Sequence, residues 1–239
     1  MILAILQARM SSTRLPGKVL RPLAGAPMLL RQIERVLRAR RIDRLVVATS
    51  LDHSDNQLLD VLTGRGVEVF RGPLEDVLGR YAGALEAFGP ADHVLRLTGD
   101  CPLTDWQVID QVVEHHLASG ADYTANTYPE RSYPKGLDAD VVTAAALQTA
   151  AREAADPYER EHVLPFIYRR PERFRLEGIS QAADEGEVRW TVDRPDDYEF
   201  VSEVYDALYA ADPAFGSEDV RALVRGRPDL QRYGDERRV

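Results

Sequence analysis

Cysteine is almost absent from this chain: Cys101 is the one example in 239 residues. An internal disulfide framework is therefore excluded, and the usage fits a reducing compartment. Five histidines (53, 93, 115, 116 and 162) form neither an HExxH pair nor any Cys/His ligand spacing, so a structural zinc site is not expected. No hydrophobic run is long enough to span a bilayer, and the opening "MILAIL" follows no basic segment of the kind a signal peptide carries. A cytoplasmic protein without a membrane role is expected. Positive charge is in deficit too, with 30 Lys and Arg against 39 Asp and Glu and a formal charge of −9. A general nucleic-acid binder needs a net basic face, so that class is set aside. A small anionic ligand held in a locally basic pocket is still allowed.

What is present is ordinary for a globular protein, with 44% hydrophobic and 29% charged residues. Short β-rich runs alternate with longer amphipathic ones. Strands are expected at 1–7, 44–50, 67–72 and 92–100. Helices are expected at 27–40, 54–66, 75–89 and 104–120, the last capped by Thr104 or Asp105. This order implies an α/β fold: a mostly parallel central sheet with helices on both faces. Beyond residue 120 the pattern changes. A Tyr-, Pro- and Asn-rich stretch suggests a small inserted lobe around 122–180, used for substrate or dimer contacts. A charged helix falls within 156–174, a strand at 187–197 and a helix at 196–210. With no repeat or linker, 1–239 reads as one domain.

In such sheets ligands lie beyond the carboxyl ends of the strands, so the segments that follow each strand matter most. The first strand runs into "ILQARMSSTRLPGKVL" (5–20), which carries Arg9, Arg14, Lys18 and three hydroxyls. It is not a Walker loop, because Ser12 stands where glycine is required and Val19 where Ser or Thr is required. No G-x-G-x-x-G follows the strand either, which weakens a dinucleotide reading. What remains is a loop of cations and hydroxyl donors suited to phosphate oxygens. The bland alternative is a solvated turn whose cations pair with surface carboxylates. "RLTGDCPLTD" (96–105) places Asp100 just past a strand, and "RWTVDRPDD" (189–197) places Asp193 at a strand end nearly a hundred residues later. Alone, either is a plausible turn former. Together they can clamp one Mg²⁺, which takes one or two carboxylates plus substrate phosphates. A rival motif is D-x-D at 138–140, used by nucleotide-sugar glycosyltransferases. A non-catalytic nucleotide binder is a further alternative.

"QARMSSTRLPGK", "LTGDCPL" and "RWTVDRPDDYEFV" together resemble the cytidylyltransferases that make CMP-sugars. They are most similar to the branch named for spore-coat polysaccharide biosynthesis protein F, and "DPYEREHVLPFIY" looks like that branch as well. The resemblance covers most of the chain and extends to CMP-KDO and CMP-sialic-acid synthetases. It implies a nucleotidyltransferase fold and a Mg²⁺-dependent attack of a sugar-type oxygen on the α-phosphorus of CTP. Arg9, Arg14 and Lys18 would hold the phosphates, and Asp100 and Asp193 would ligate the metal; Arg9, Lys18, Asp100 and Asp193 would carry catalysis. Ala8, Ser11, Arg71, Gly72 and Thr98 would complete the nucleotide site, with Thr98 standing where the KDO enzymes carry glutamine. Lys135 and Asp138 in "SYPKGLDAD", with Arg160 and His162 in "YEREH", would receive a small anionic acceptor. Relatives suggest a homodimer.

Overall fold

The computed structural model describes all 239 residues. Its central sheet is built from β1 (Ile2–Gln7), β2 (Arg44–Ser50), β3 (Val69–Gly72), β4 (His93–Thr98), β5 (Tyr123–Ala125), β6 (Asp140–Thr143) and β7 (Leu176–Gly178). The strand order is β3-β2-β1-β4-β6-β5-β7. β1 pairs in parallel with both β2 and β4, whereas β6 runs antiparallel to β4 and β5. β1 is buried on both sides of the sheet: Ile2, Ala4 and Leu6 enter one core, Leu3 and Ile5 the other. This explains an apolar run without polar alternation.

The first core is closed by α1 (Met28–Val36), α2 (Asn56–Thr63) and α4 (Trp106–Ser119), together with the later α8 (Pro195–Leu208) and α9 (Ser217–Gly226). The opposite core is closed by α3 (Val77–Phe88), α5 (Ala144–Glu153) and α7 (Pro165–Tyr168), while the short α6 (Pro157–His162) packs beside α3. Asp105, not Thr104, caps α4 by accepting from Gln107 N at 2.8 Å, and its second oxygen accepts from Ser217 N at 2.7 Å. No helix is long and apolar enough to cross a membrane.

Two sequence expectations change. Residues 122–180, expected as an inserted lobe, supply β5, β6 and β7 to the same central sheet. Residues 187–197, expected as a strand, make only one bridge, between Lys135 and Arg189, and from Pro195 they belong to α8. Their backbone N–H groups go to three different segments: Arg189 N to Arg237 O, Trp190 N to Lys135 O and Val192 N to Asp100 O. A ladder needs one continuous partner, and here there is none.

A histidine pair, His116 buried and His93 half-buried, lies where β4, α4 and β5 meet. His93 Nδ1 and His116 Nε2 are 3.0 Å apart, and His116 Nδ1 is 3.0 Å from Thr124 Oγ1. Only one proton fits between the two rings. Burial, followed by the charge of His93, lowers the His116 pKa to about 4, with Asp122 opposing and His115 reinforcing the shift. The folded value lies below the unfolded one, near 6.5, so stability is full above pH 6.5 and is lost as pH falls toward 4. Between pH 7 and pH 5 the chain should lose roughly 2 kcal/mol from this site. His116→Gln should flatten that part of a urea-midpoint profile; equal slopes for variant and parent would exclude the histidine as the source.

Candidate active site

The carboxyl ends of β1 and β4 open into a crevice of about 400 Å³. Its first wall is the loop after β1. That loop is tied down at several points: Met10 N donates to Asp55 Oδ1 at 2.7 Å, Gly17 N donates to Met10 O at 3.0 Å, and Leu15 and Val19 are buried. Gly17 turns the chain in the left-handed region (φ 68°), which favours glycine. The side chain of Lys18 is thereby turned inward, while Arg9, Ser12, Thr13 and Arg14 line the opening.

The second wall is the turn after β4. Gly99 N donates to Gln7 O at 2.8 Å, and a Cβ on Gly99 would lie 3.0 Å from that oxygen, so the two loops approach this closely only over glycine. From behind, Gln32 Nε2 donates to Thr98 O at 2.8 Å and Arg35 Nε to Thr104 O at 2.7 Å. The turn is also joined to the third wall, since Val192 N donates to Asp100 O at 2.8 Å. Asp100 and Asp193 are held on one rim by this link.

Lys18 closes the arrangement. Its Nζ lies 3.0 Å from Asp100 Oδ2, 2.9 Å from Asp193 Oδ1 and 2.8 Å from Val192 O. Burial alone would lower the Lys18 pKa, but Asp100 and Asp193 outweigh it and the net shift is upward, so the ammonium is retained. Asp193 shows the mirror image. Burial pushes it up, yet Lys18, Arg189 and Arg14 together hold it below the usual carboxylate range. Arg14 reaches Asp193 Oδ1 at 3.0 Å from an exposed position.

The other expected residues divide. Ala8, Thr98 and His162 line the crevice; Ser11 does not. Arg71 is spent on backbone, donating to Ser50 O at 2.8 Å and Asp52 O at 3.0 Å. Gly72 acts indirectly: a Cβ there would meet Arg80 Cγ at 2.9 Å, so its absence lets Arg80 pack against the strand. Arg160 is clamped to Asp76, with Nε at 2.8 Å and Nη2 at 2.5 Å from the two carboxylate oxygens. Asp138 pairs with Arg131 and Lys135 with Glu187, and none of Arg160, Asp138 and Lys135 lines the crevice. Of the D-x-D pair, Asp140 is buried, accepting from Arg96 at 3.0 Å and Tyr123 OH at 2.8 Å. The two aspartates of that motif therefore do not converge on one open site.

Two crevice arginines escaped the sequence reading. Arg80 projects from α3, with its Nε on Pro73 O and Nη2 on Leu74 O, and reads in sequence as a polar helix position. Arg96 sits on β4 at the crevice floor. A charge inside the apolar run "HVLRLT" was the available signal for it.

A profile described as Cytidylyltransferase matches residues 3–222. The chain belongs to the cytidylyltransferase family. It is 34% identical over 235 residues to the spore coat polysaccharide biosynthesis protein SpsF of Bacillus subtilis, covering 95% of each chain. It is 33% identical over 165 residues to the 3-deoxy-manno-octulosonate cytidylyltransferase of Yersinia enterocolitica, covering 66% of this chain and 65% of that one. A cytidylyltransferase structure from Leptospira borgpetersenii superposes with a TM-score of 0.89 at 29% identity, covering 96% of this chain and 95% of that one. This cytidylyltransferase is thus a nucleotidyltransferase with the fold its sequence implied.

Proposed function

We propose that this cytidylyltransferase joins CTP to a sugar acid, releasing pyrophosphate, for surface polysaccharide synthesis. The observation that carries the reading is the meeting of Lys18, Asp100 and Asp193 at the mouth of a crevice lined by Arg9 and Arg14. In the reaction the acceptor hydroxyl oxygen forms a bond to the α-phosphorus as the bond to the β-phosphate bridging oxygen breaks. The protein's task is alignment and charge neutralisation more than covalent chemistry. Arg9 and Arg14 are the cations open to the leaving pyrophosphate, Lys18 adds its charge from the rim while its ammonium donates to Asp100, Asp193 and Val192 O, and Ser12 and Thr13 supply hydroxyl donors beside them.

Asp100 and Asp193 fit a divalent ion. Both are hard oxygen donors, and both reach one cationic atom within 3.0 Å, which shows that their carboxylates converge. Bound there, Mg²⁺ would lower the pKa of the attacking hydroxyl and offset charge on the phosphate. His162 and Glu161 also line the crevice and are the groups we assign to the acceptor.

The test is to incubate the protein with CTP, Mg²⁺ and a panel of sugar acids, measuring pyrophosphate. Release that depends on both CTP and one acceptor is expected, and it should stop in EDTA. Consumption of a nucleotide-sugar without pyrophosphate from any nucleoside triphosphate would overturn the reading in favour of glycosyl transfer.

A further inference from the structure

Asp193 uses its two oxygens differently. Oδ1 faces the crevice, where Lys18 and Arg14 lie, whereas Oδ2 accepts from Arg189 Nη2 at 2.7 Å. Arg189 is itself fixed. Its Nε and Nη2 both reach Asp197, each at 3.1 Å, and Asp197 also receives Arg238 Nη2 at 2.9 Å and the backbone N–H groups of Asp193 and Arg194 at 2.9 and 3.0 Å. Asp197 and Arg238 are 1% and 0% exposed. Burial pushes the Asp197 pKa up, but Arg189, the Asp193 amide and Arg238 outweigh it and bring it down to about 2. Arg238 in turn donates to Arg189 O at 2.6 Å, and its own carbonyl accepts from Trp190 Nε1 at 2.9 Å.

We infer that Arg189, locked by Asp197 and Arg238, is a positioning residue that occupies Oδ2 of Asp193 and so presents Oδ1 alone to the crevice. Two consequences distinguish this from ordinary packing. The carboxylate cannot rotate to offer both oxygens to one cation, so it serves as a one-oxygen ligand in fixed orientation. The lock also draws on residue 238, outside the stretch 3–222 that the family profile matches. Outer partners of ligating carboxylates typically change metal affinity or activity by about 10- to 100-fold when removed.

The inference rests on the reading that Asp100 and Asp193 hold the divalent ion. The experiment titrates Mn²⁺ and Mg²⁺ into the full chain with CTP, following the midpoint of thermal unfolding and, separately, pyrophosphate release. Arg189→Met should raise the half-saturating metal concentration about tenfold and lower kcat 10- to 100-fold, leaving KM for CTP little changed. Arg189→Lys keeps the charge and one donor but loses the fork on Asp197, so it should fall between Met and parent. Should Arg189→Met fail to fold, as judged by its unfolding midpoint in EDTA, Arg189→Lys and Arg238→Lys carry the test, each expected to raise the metal midpoint. Folded variants with the parent's metal midpoint and kcat overturn the inference alone. A parent whose unfolding midpoint ignores both metals, and which releases no pyrophosphate, overturns the ligand assignment as well.

Discussion

Replacing Lys18 by methionine is expected to cut turnover about 10²- to 10³-fold, the range seen when one preorganised donor to developing negative charge is removed. The side chain keeps its length but loses the ammonium that Asp100, Asp193 and Val192 O share within 3.0 Å. Two carboxylates then face each other without their common cation. Removing one partner of a wholly buried pair costs about 3–5 kcal/mol. Here the cost should be smaller, about 1–3 kcal/mol, because Arg14 and Arg189 still contact Asp193. Lys18→Arg is the informative companion. It restores the charge, yet a planar guanidinium does not fit a position 7% exposed whose three acceptors surround a point charge. Steady-state pyrophosphate release and urea midpoints measure the two effects separately. Near-parent rates in Lys18→Met would remove this lysine from the active centre.

The largest loss of stability is expected from Trp190→Ala, about 3–5 kcal/mol. Trp190 is fully buried and heads the largest enclosed side chains. Truncation opens a cavity in the core that Val188, Val192, α8 and α9 also contribute to. It also leaves Arg238 O without the indole N–H that donates to it at 2.9 Å. The guanidinium of Arg221, 5.5 Å from the ring centroid, loses its aromatic face as well. Urea unfolding of the variant should show a lower midpoint with an unchanged slope. A loss below about 1.5 kcal/mol would mean that the surroundings collapse into the space, as happens when a site is less rigid than its burial suggests.

Much of the fold was readable because the first two strands are largely apolar runs, the third and fourth are β-rich runs carrying single arginines, and each is bounded by turn residues and followed by a segment at the strand's carboxyl end. Lys18 and Asp100 were legible for that reason, as chemistry-bearing residues of those segments; Asp193 follows no strand and reaches the same rim because Val192 N donates to Asp100 O. Arg160 and Asp138 were not separable from ligands by sequence, since a loop charge carries no mark telling a substrate contact from an ion pair; here Asp76 and Arg131 take them. The strand expected at 187–197 has a strand's composition but lacks a continuous neighbour. Arg189 and Asp197 lie within one short stretch, but Arg238 had no local signal, because it joins them only once residues 232–238 fold back over 189.

The bond between Lys18 and Val192 spans 174 positions, and that between Lys18 and Asp100 spans 82. Contacts of such separation require long loops to close before they contribute, which makes their formation slow relative to local structure. Four of the seven strands, β1 to β4, are complete by residue 98, and the cationic loop has been made with them. A chain arrested at that stage has an anion-facing loop and no catalytic centre. During refolding, the return of activity therefore reports the closure of the most distant contacts, not the appearance of secondary structure.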